Sequence, residues 1–327
     1  MKAISYTRFG PAAEVLELGE VVNPAPGPGE VLVRLSHSGV NPSDAKARAG
    51  ARPGVTKPAF PRIIPHSDGA GIIEAVGDGV ESSRVEEAVW IWNGQWQRSH
   101  GTAAEYIALP SEQAVPLPDG VSAETGACLG IPGLTAAHVV FGSGAVEGKT
   151  LLVSGGAGAV GHNAVQLAKW GGATVMATAS PRDHARVRAA GADHVFDYRS
   201  PDLAASVHEA SGGGVERAIE VEFGANIDLL AQVLTPGGCI IAYGSGRNMT
   251  PTLPFGPLMF KAIGIELVLV YSLDFDARAR AISHLHKALL EGALKPAIDQ
   301  VLPLSRAAEA HDAVMRAGRA GAVLLEI

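Results

Sequence analysis

Leu151-Leu152-Val153-Ser154-Gly155-Gly156-Ala157-Gly158-Ala159-Val160-Gly161 decides the fold of this chain. The apolar residues read as a short buried strand and the glycines as the turn that ends it. His162-Asn163-Ala164-Val165-Gln166-Leu167-Ala168-Lys169 reads as the helix that follows. Ala164, Leu167, Ala168 and Gly171 recur at i, i+3, i+4 and i+7, the pattern of a buried helix face. Gly156, Gly158 and Gly161 then fall on G-x-G-x-x-G in the strand-turn-helix setting that gives the pattern meaning. They serve a tight turn, close approach of backbone to a pyrophosphate, and close packing of helix on strand. Ala159 and Val160 lie at the helix N-terminus, where unpaired N–H groups and the positive dipole end face the anion. A dinucleotide site follows.

The next strand, Ala173 to Ser180, indicates which dinucleotide. Sites selective for NAD place an Asp or Glu at the end of this strand, on the ribose 2′-hydroxyl. Here the strand ends in Ser180-Pro181-Arg182-Asp183-His184, with Arg186 and Arg188 close behind. Ser180, Arg182 and His184 suit a 2′-phosphate, which small and basic side chains hydrogen-bond and neutralise. NADPH is the expected cofactor.

A chain of 327 residues exceeds what one core usually supports, so two domains are expected. Hydrophobic residues make up 47% and charged residues 18%, enough apolar material for two cores. The net charge of -7 argues against a nucleic-acid or anionic-membrane surface. The N-terminal residues lack the apolar core of a signal peptide, and no apolar run reaches membrane length. A soluble, cytoplasmic protein is expected. Cys128 and Cys239 sit in apolar surroundings far apart in sequence and read as two reduced core thiols.

The texture of the chain changes twice. Residues 1–123 are rich in Pro and Gly with short β-like pieces, which predicts a mostly antiparallel β domain. Residues 124–271 alternate strands and helices, as in a doubly wound parallel sheet of Rossmann type. A helix is expected after Asp274, and residues 272–327 are expected to return to the first domain, ending in the strand Ala322 to Ile327. The strand Glu266-Leu267-Val268-Leu269-Val270-Tyr271 would close the parallel sheet with an exposed edge. Such edges are usually covered or paired, so a homodimer through 266–271 is expected.

Several ordered motifs carry a family resemblance across the whole chain. They are Gly39-Val40-Asn41-Pro42-Ser43-Asp44, Asp68-Gly69-Ala70-Gly71-Ile72-Ile73-Glu74-Ala75-Val76-Gly77, and Gly101-Thr102-Ala103-Ala104-Glu105-Tyr106. Gly130-Ile131-Pro132-Gly133-Leu134-Thr135-Ala136, the glycine loop and Ala190-Gly191-Ala192-Asp193 complete the series. The chain resembles the zeta-crystallin-like NADPH:quinone oxidoreductases, the zinc-free branch of the medium-chain dehydrogenase/reductase superfamily. The resemblance implies an α/β protein with a GroES-like catalytic domain beside a Rossmann domain, and a nicotinamide ring held between them. By resemblance Asn41 donates a hydrogen bond to the acceptor oxygen and Asp44 orients it. Thr135 is implied at the nicotinamide end, Tyr198 near the adenosine phosphate, and Gly244-Ser245 beneath the ribose.

In zinc-dependent relatives the metal ligands fall at positions matching Asn41, Ser67 and Ile131, none of which is a good zinc ligand. No metal is therefore expected, and a quinone-like acceptor, which needs little polarisation, is the expected small-molecule partner. Reduction of activated enone double bonds, or a non-catalytic role as an NADPH-binding crystallin-type protein, are the alternatives. Two departures from the family pattern matter. Several members carry a tyrosine shortly after the Asn-x-x-Asp motif, whereas here the segment reads Ala45-Lys46-Ala47-Arg48-Ala49-Gly50-Ala51-Arg52, so Arg48, Arg52 or His66 would tune the acceptor. Trp90, Trp92 and Trp96 either wall a planar acceptor or fill the β-domain core.

Overall fold

Thr150–Val153 forms the strand that feeds the glycine turn, inside a six-stranded sheet. The order across that sheet is His194–Asp197, Thr174–Ala179, Thr150–Val153, Val215–Glu220, Leu234–Ala242 and Gly264–Leu267, and every pairing is parallel. The winding therefore reverses between Thr150–Val153 and Val215–Glu220, the switch point at which doubly wound sheets open a crevice beyond their strand ends. Leu151, Leu152 and Val153 are wholly buried, as expected for a strand covered on both faces. The computed structural model describes residues 1–51 and 54–327, so Arg52 lies outside the described residues.

The chain divides into two units, Met1–Ile131 with Ile298–Ile327, and Pro132–Ala297. The boundaries thus lie at 131/132 and 297/298, where the sequence suggested 123/124 and 271/272. Packing inside the second unit accounts for the later return. The helix Phe275–Leu290 lies against the helix Leu134–Phe141, which in turn packs on Ala159–Trp170. Arg217, in the buried strand Val215–Glu220, donates to the carbonyl oxygens of Val140, Ser143 and Gly144 and so satisfies the open end of the Leu134–Phe141 helix.

The first unit is built on a seven-stranded sheet. Its order is Ile298–Pro303, Ala322–Glu326, Glu30–Val40, Asp68–Val76, Ala88–Ile91 and Ala114–Pro116, with Tyr106–Pro110 also paired to Glu30–Val40. All pairings are antiparallel except that of Ile298–Pro303 with Ala322–Glu326. The last strand of the chain therefore sits inside the sheet, beside one of its earliest strands.

The edge strand of the parallel sheet is shorter than expected and lies earlier, at Gly264–Leu267 rather than 266–271. Val268 still bonds Ala242, but the backbone then turns. Val270–Ser272 forms a 3₁₀ turn closed by Ser272 N–H on Leu269 O, with Val270 buried. Cys128 is buried and free as expected, whereas Cys239, also free, is only half-buried. Among the described residues no helix is long and apolar enough to cross a membrane.

Candidate active site

The predicted nucleotide residues gather at the C-terminal ends of the parallel strands. Gly158 is the N-cap of Ala159–Trp170, and Gly156 N–H bonds Thr178 O at 2.9 Å, which ties the loop to the neighbouring strand. The three motif glycines are glycine for different reasons. A Cβ on Gly161 would lie 2.2 Å from Gly155 O, and one on Gly156 would lie 3.0 Å from the Ala177 Cβ, so these two permit the close packing of helix on strand. A Cβ on Gly158 would meet nothing nearer than Gly155 O at 3.5 Å. Nothing inside the fold requires a glycine there, so the loop at Gly158 is a smooth, open cradle of the kind a pyrophosphate approaches closely.

Ser180 and Tyr198 follow adjacent strand ends, since Ala179 and Asp197 are register partners. Tyr198 is half-exposed, with the Arg199 guanidinium 5.3 Å from its ring centroid. Within the Ser180–Arg186 segment the side chains converge on Asp183. Ser180 Oγ donates to it at 3.1 Å, Arg186 at 3.3 Å, and Arg182 Nε lies at 3.6 Å. His184 is turned inward, its Nε2 3.3 Å from Ala179 O. Arg186 is the arginine that reaches the glycine loop, donating to Ala157 O at 2.9 Å. That role is invisible in the sequence, where Arg186 is one of several basic residues on a helix. Burial, with Arg186 nearby, lowers the His162 imidazole to about 4 and keeps it neutral beside the loop. At the next strand end Gly244 packs so closely that a Cβ would lie 2.5 Å from Val221 O. Ser245 Oγ accepts from Gly224 N–H at 2.8 Å and donates to Asn248 O, holding that turn. Thr135 stands apart from these loops, buried in the first turn of Leu134–Phe141.

In the first unit Asn41 and Asp44 are both buried and lie at the start of the helix Pro42–Arg48. Asn41 N–H donates to Asp44 Oδ2 at 2.8 Å, which fixes the turn into the helix. Asn41 Nδ2 donates to Asp68 Oδ2 at 2.7 Å, and Asp68 Oδ1 accepts from Ile131 N–H at 2.8 Å. Gly130 makes this possible, because a Cβ there would lie 2.1 Å from Asp68 Oδ1. Burial, and then the nearby Asp44, pushes the Asp68 carboxyl well above its ordinary range. One amide proton of Asn41 is committed to Asp68, which leaves the second to donate elsewhere.

Beneath this cluster runs a second buried chain. His311 Nε2 and His66 Nε2 are 2.9 Å apart, His66 Nδ1 is 2.9 Å from Ser38 Oγ, and Ser38 Oγ is 2.8 Å from Thr102 Oγ1. Thr102 then donates to Asp68 O at 2.5 Å. His311 Nδ1 makes no hydrogen bond among the described residues. The assignment that leaves it a bare lone pair, rather than an unpaired N–H, has His311 donating to His66, His66 to Ser38, and Ser38 to Thr102. His66 is wholly buried at φ 78, a left-handed conformation unusual for a non-glycine residue. Arg48 is likewise buried, donating to Gly10 O. The tryptophans separate by role: Trp90 is wholly inside the core and Trp92 nearly so, while Trp96 lines a cavity. Among the described residues no group of three or more His, Cys, Asp and Glu side chains comes together as a metal site.

Two family models match the chain, one described as alcohol dehydrogenase GroES-like domain over residues 27–119 and one as zinc-binding dehydrogenase over residues 159–287. The quinone oxidoreductase of Rattus norvegicus is 33% identical over 330 residues, covering 99% of this chain and 97% of the relative. The chain belongs to the zeta-crystallin-like quinone oxidoreductases of the medium-chain dehydrogenase/reductase superfamily. Solved members of the superfamily share the full architecture. A structure described as an NAD-dependent alcohol dehydrogenase is 30% identical with a TM-score of 0.89, covering 100% of both chains. A mycobacterial protein complexed with NADPH is 27% identical with a TM-score of 0.87, also covering 100% of both. As a family member the chain is an oxidoreductase with an NAD(P)-binding fold.

Proposed function

We propose that this chain is an NADPH-dependent quinone reductase that works without zinc. The observation that carries this reading is the Asn41–Asp68 pair. A buried carboxyl group holds one face of the Asn41 amide and leaves one fixed N–H to meet an acceptor oxygen. Bound at the glycine loop, the dinucleotide would supply the hydride. Gly156 to Gly161 cradle its pyrophosphate, Ser180 and Arg182 with Tyr198 meet its adenosine phosphate while His184 packs back on the end of its own strand, and Gly244 and Ser245 shape the turn beneath a ribose. NADPH is favoured over NADH because the Arg182 side chain is 63% exposed and Arg186 stands beside it, so the segment remains basic after Asp183 is counted.

Asn41 donates to the acceptor carbonyl as negative charge grows on it, and the Asp44 carboxylate keeps Asn41 in place through its backbone N–H. A quinone takes up a hydride and one proton to give the aromatic hydroquinone, so a single hydrogen bond and correct placement suffice. The donor set does not suit zinc. Asn41 and the Ile131 N–H are both engaged with Asp68, His66 is engaged with His311 and Ser38, and burial pushes the Cys128 thiol up, away from the thiolate a metal needs. We propose in addition that two copies pair through the Gly264–Leu267 edge, where Ile265, Leu267 and Leu269 leave alternate apolar side chains exposed.

The deciding experiment is NADPH oxidation against a panel of quinones and enones, with simple alcohols assayed in the reverse direction. Quinones should be the best acceptors and alcohols poor substrates. Asn41→Ala should lower kcat by roughly tenfold or more with NADPH affinity little changed, the pattern of a contact made in the transition state. Robust alcohol oxidation, or full activity in Asn41→Ala, would overturn the reading.

A further inference from the structure

The first unit contains a cavity of about 360 Å³ that none of the residues discussed for catalysis occupies. Tyr6, Phe9, Phe60 and Trp96 supply aromatic walls, Ala47 closes one side, and Gln97 stands at the rim. Its size falls within the range of small-molecule sites and far above the voids left by imperfect packing. Among the described residues that line it none carries a charge. Such a space favours a neutral, planar, largely apolar guest, whose rings stack on or edge against the aromatic walls.

Two short segments connect this cavity to Asn41. Ala47 lies six residues after Asn41 along the Pro42–Arg48 helix, roughly 9 Å at the helical rise. Ile63, which lines the cavity, lies five residues before Asp68, the partner of the Asn41 amide. Tyr6 and Ile63 exchange backbone hydrogen bonds of 2.9 Å in both directions, so that wall is fixed. Trp96 is presented by a loop in which Asn93 and Gln97 both take positive φ, at 53° and 59°. Non-glycine residues adopt that region at a cost, and here the two bracket the indole.

We infer that the cavity receives the apolar part of the acceptor, a fused aromatic ring or its extension, while the carbonyl meets Asn41. Trp96 is thereby a specificity residue that makes extended quinones better acceptors than a single-ring quinone. This rests on the quinone-reductase reading. The test compares kcat/KM for 1,4-naphthoquinone and 1,4-benzoquinone in the wild type, Trp96→Ala and Ala47→Trp. Taking the ratio within each protein cancels the intrinsic reactivity of the two acceptors. The naphthoquinone-to-benzoquinone ratio should fall about tenfold when Ala47→Trp fills the cavity and severalfold in Trp96→Ala.

Binding of the non-reducible probe 1,4-dimethoxynaphthalene, followed by calorimetry, is the second readout. It should be measurable in the wild type and lost in Ala47→Trp, with thermal unfolding confirming that the variant is folded. If neither quinone is reduced, the catalytic reading fails, and loss of probe binding on filling still supports the cavity as an aromatic site. If quinones are reduced but the ratio and the probe affinity are the same in all three proteins, the cavity assignment is overturned and the catalytic reading stands.

Discussion

His66 and His311, 245 positions apart in sequence, share a hydrogen bond of 2.9 Å between their Nε2 atoms in a fully buried site. Burial, and then His311, holds His66 well below its ordinary value of 6.5, and burial with Arg48 nearby lowers His311 to about 3. The unfolded chain protonates both rings below 6.5, whereas the folded chain protonates His311 only near 3. Between those values the unfolded state binds more protons, so stability falls as the pH drops. The slope approaches about 1.4 kcal/mol per pH unit for the His311 ring, and His66 adds in the same direction. His66→Gly removes one such ring and suits the φ of 78° at that position. Urea midpoints at pH 7 and pH 5 should show a smaller acid loss in the variant than in the wild type. Equal losses would mean that the pair does not govern acid stability.

Gly158 and Gly161 should separate binding from folding. Gly161→Ala forces a Cβ to within 2.2 Å of Gly155 O and should destabilise the second unit by about 1–3 kcal/mol, read as a lowered Tm. Gly158→Ala meets no such obstacle and should cost only the roughly 0.5–1 kcal/mol of a poorer N-cap while weakening dinucleotide binding tenfold or more. A Gly158→Ala protein with native cofactor affinity would contradict the cradle.

Arg182 and Arg186 should differ in their effect on the two nicotinamide cofactors. Removing Arg182, whose guanidinium lies beside Asp183, should raise the Kd of NADPH about tenfold and leave that of NADH nearly unchanged. Removing Arg186 also frees the Ala157 carbonyl, so Arg186→Ala should weaken both cofactors. Titrations of each variant at low salt check this, and unchanged NADPH binding in Arg182→Ala would refute its phosphate role.

Leu267, 75% exposed on the sheet edge, is the place to test self-association. Light scattering at micromolar concentration should give twice the chain mass for the wild type and the monomer mass for Leu267→Lys, with unchanged circular dichroism. A monomeric wild type would exclude the paired edge.

The parts of the fold legible in the sequence are those with local causes. A buried apolar strand, a glycine turn and a 3.6-residue repeat follow one another within residues 151 to 171, so the Rossmann half announces itself. The edge strand is shorter than its sequence suggests because Glu266 to Tyr271 has strong β propensity throughout, yet Val270 is buried by turning inward, and that burial decides where the strand stops. In the site, Asn41 and Asp44 share a helix start and could be read together. Their dependence on Asp68 and Gly130 arises only when distant strands come together. The same holds for Arg217, whose contacts with the end of a helix some seventy residues earlier leave no periodic trace. Trp96 cannot be told from Trp90 and Trp92 by composition, because its place on a loop in which Asn93 and Gln97 take positive φ leaves no signal in residue type.

The position of Ala322–Glu326 within the seven-stranded sheet imposes an order on biosynthesis. Glu30–Val40 emerges from the ribosome early, but the partner of its His37–Val40 half is translated only after the whole Pro132–Ala297 unit. The nucleotide-binding unit is continuous and can collapse as it emerges. On that side Glu30–Arg34 pairs with the early Tyr106–Pro110, but His37–Val40 must wait unpaired, so the nascent chain carries a short open stretch of sheet edge through most of its translation. Slowing synthesis between residues 132 and 297 lengthens that exposure, which makes the elongation rate over this stretch a determinant of the yield of soluble protein.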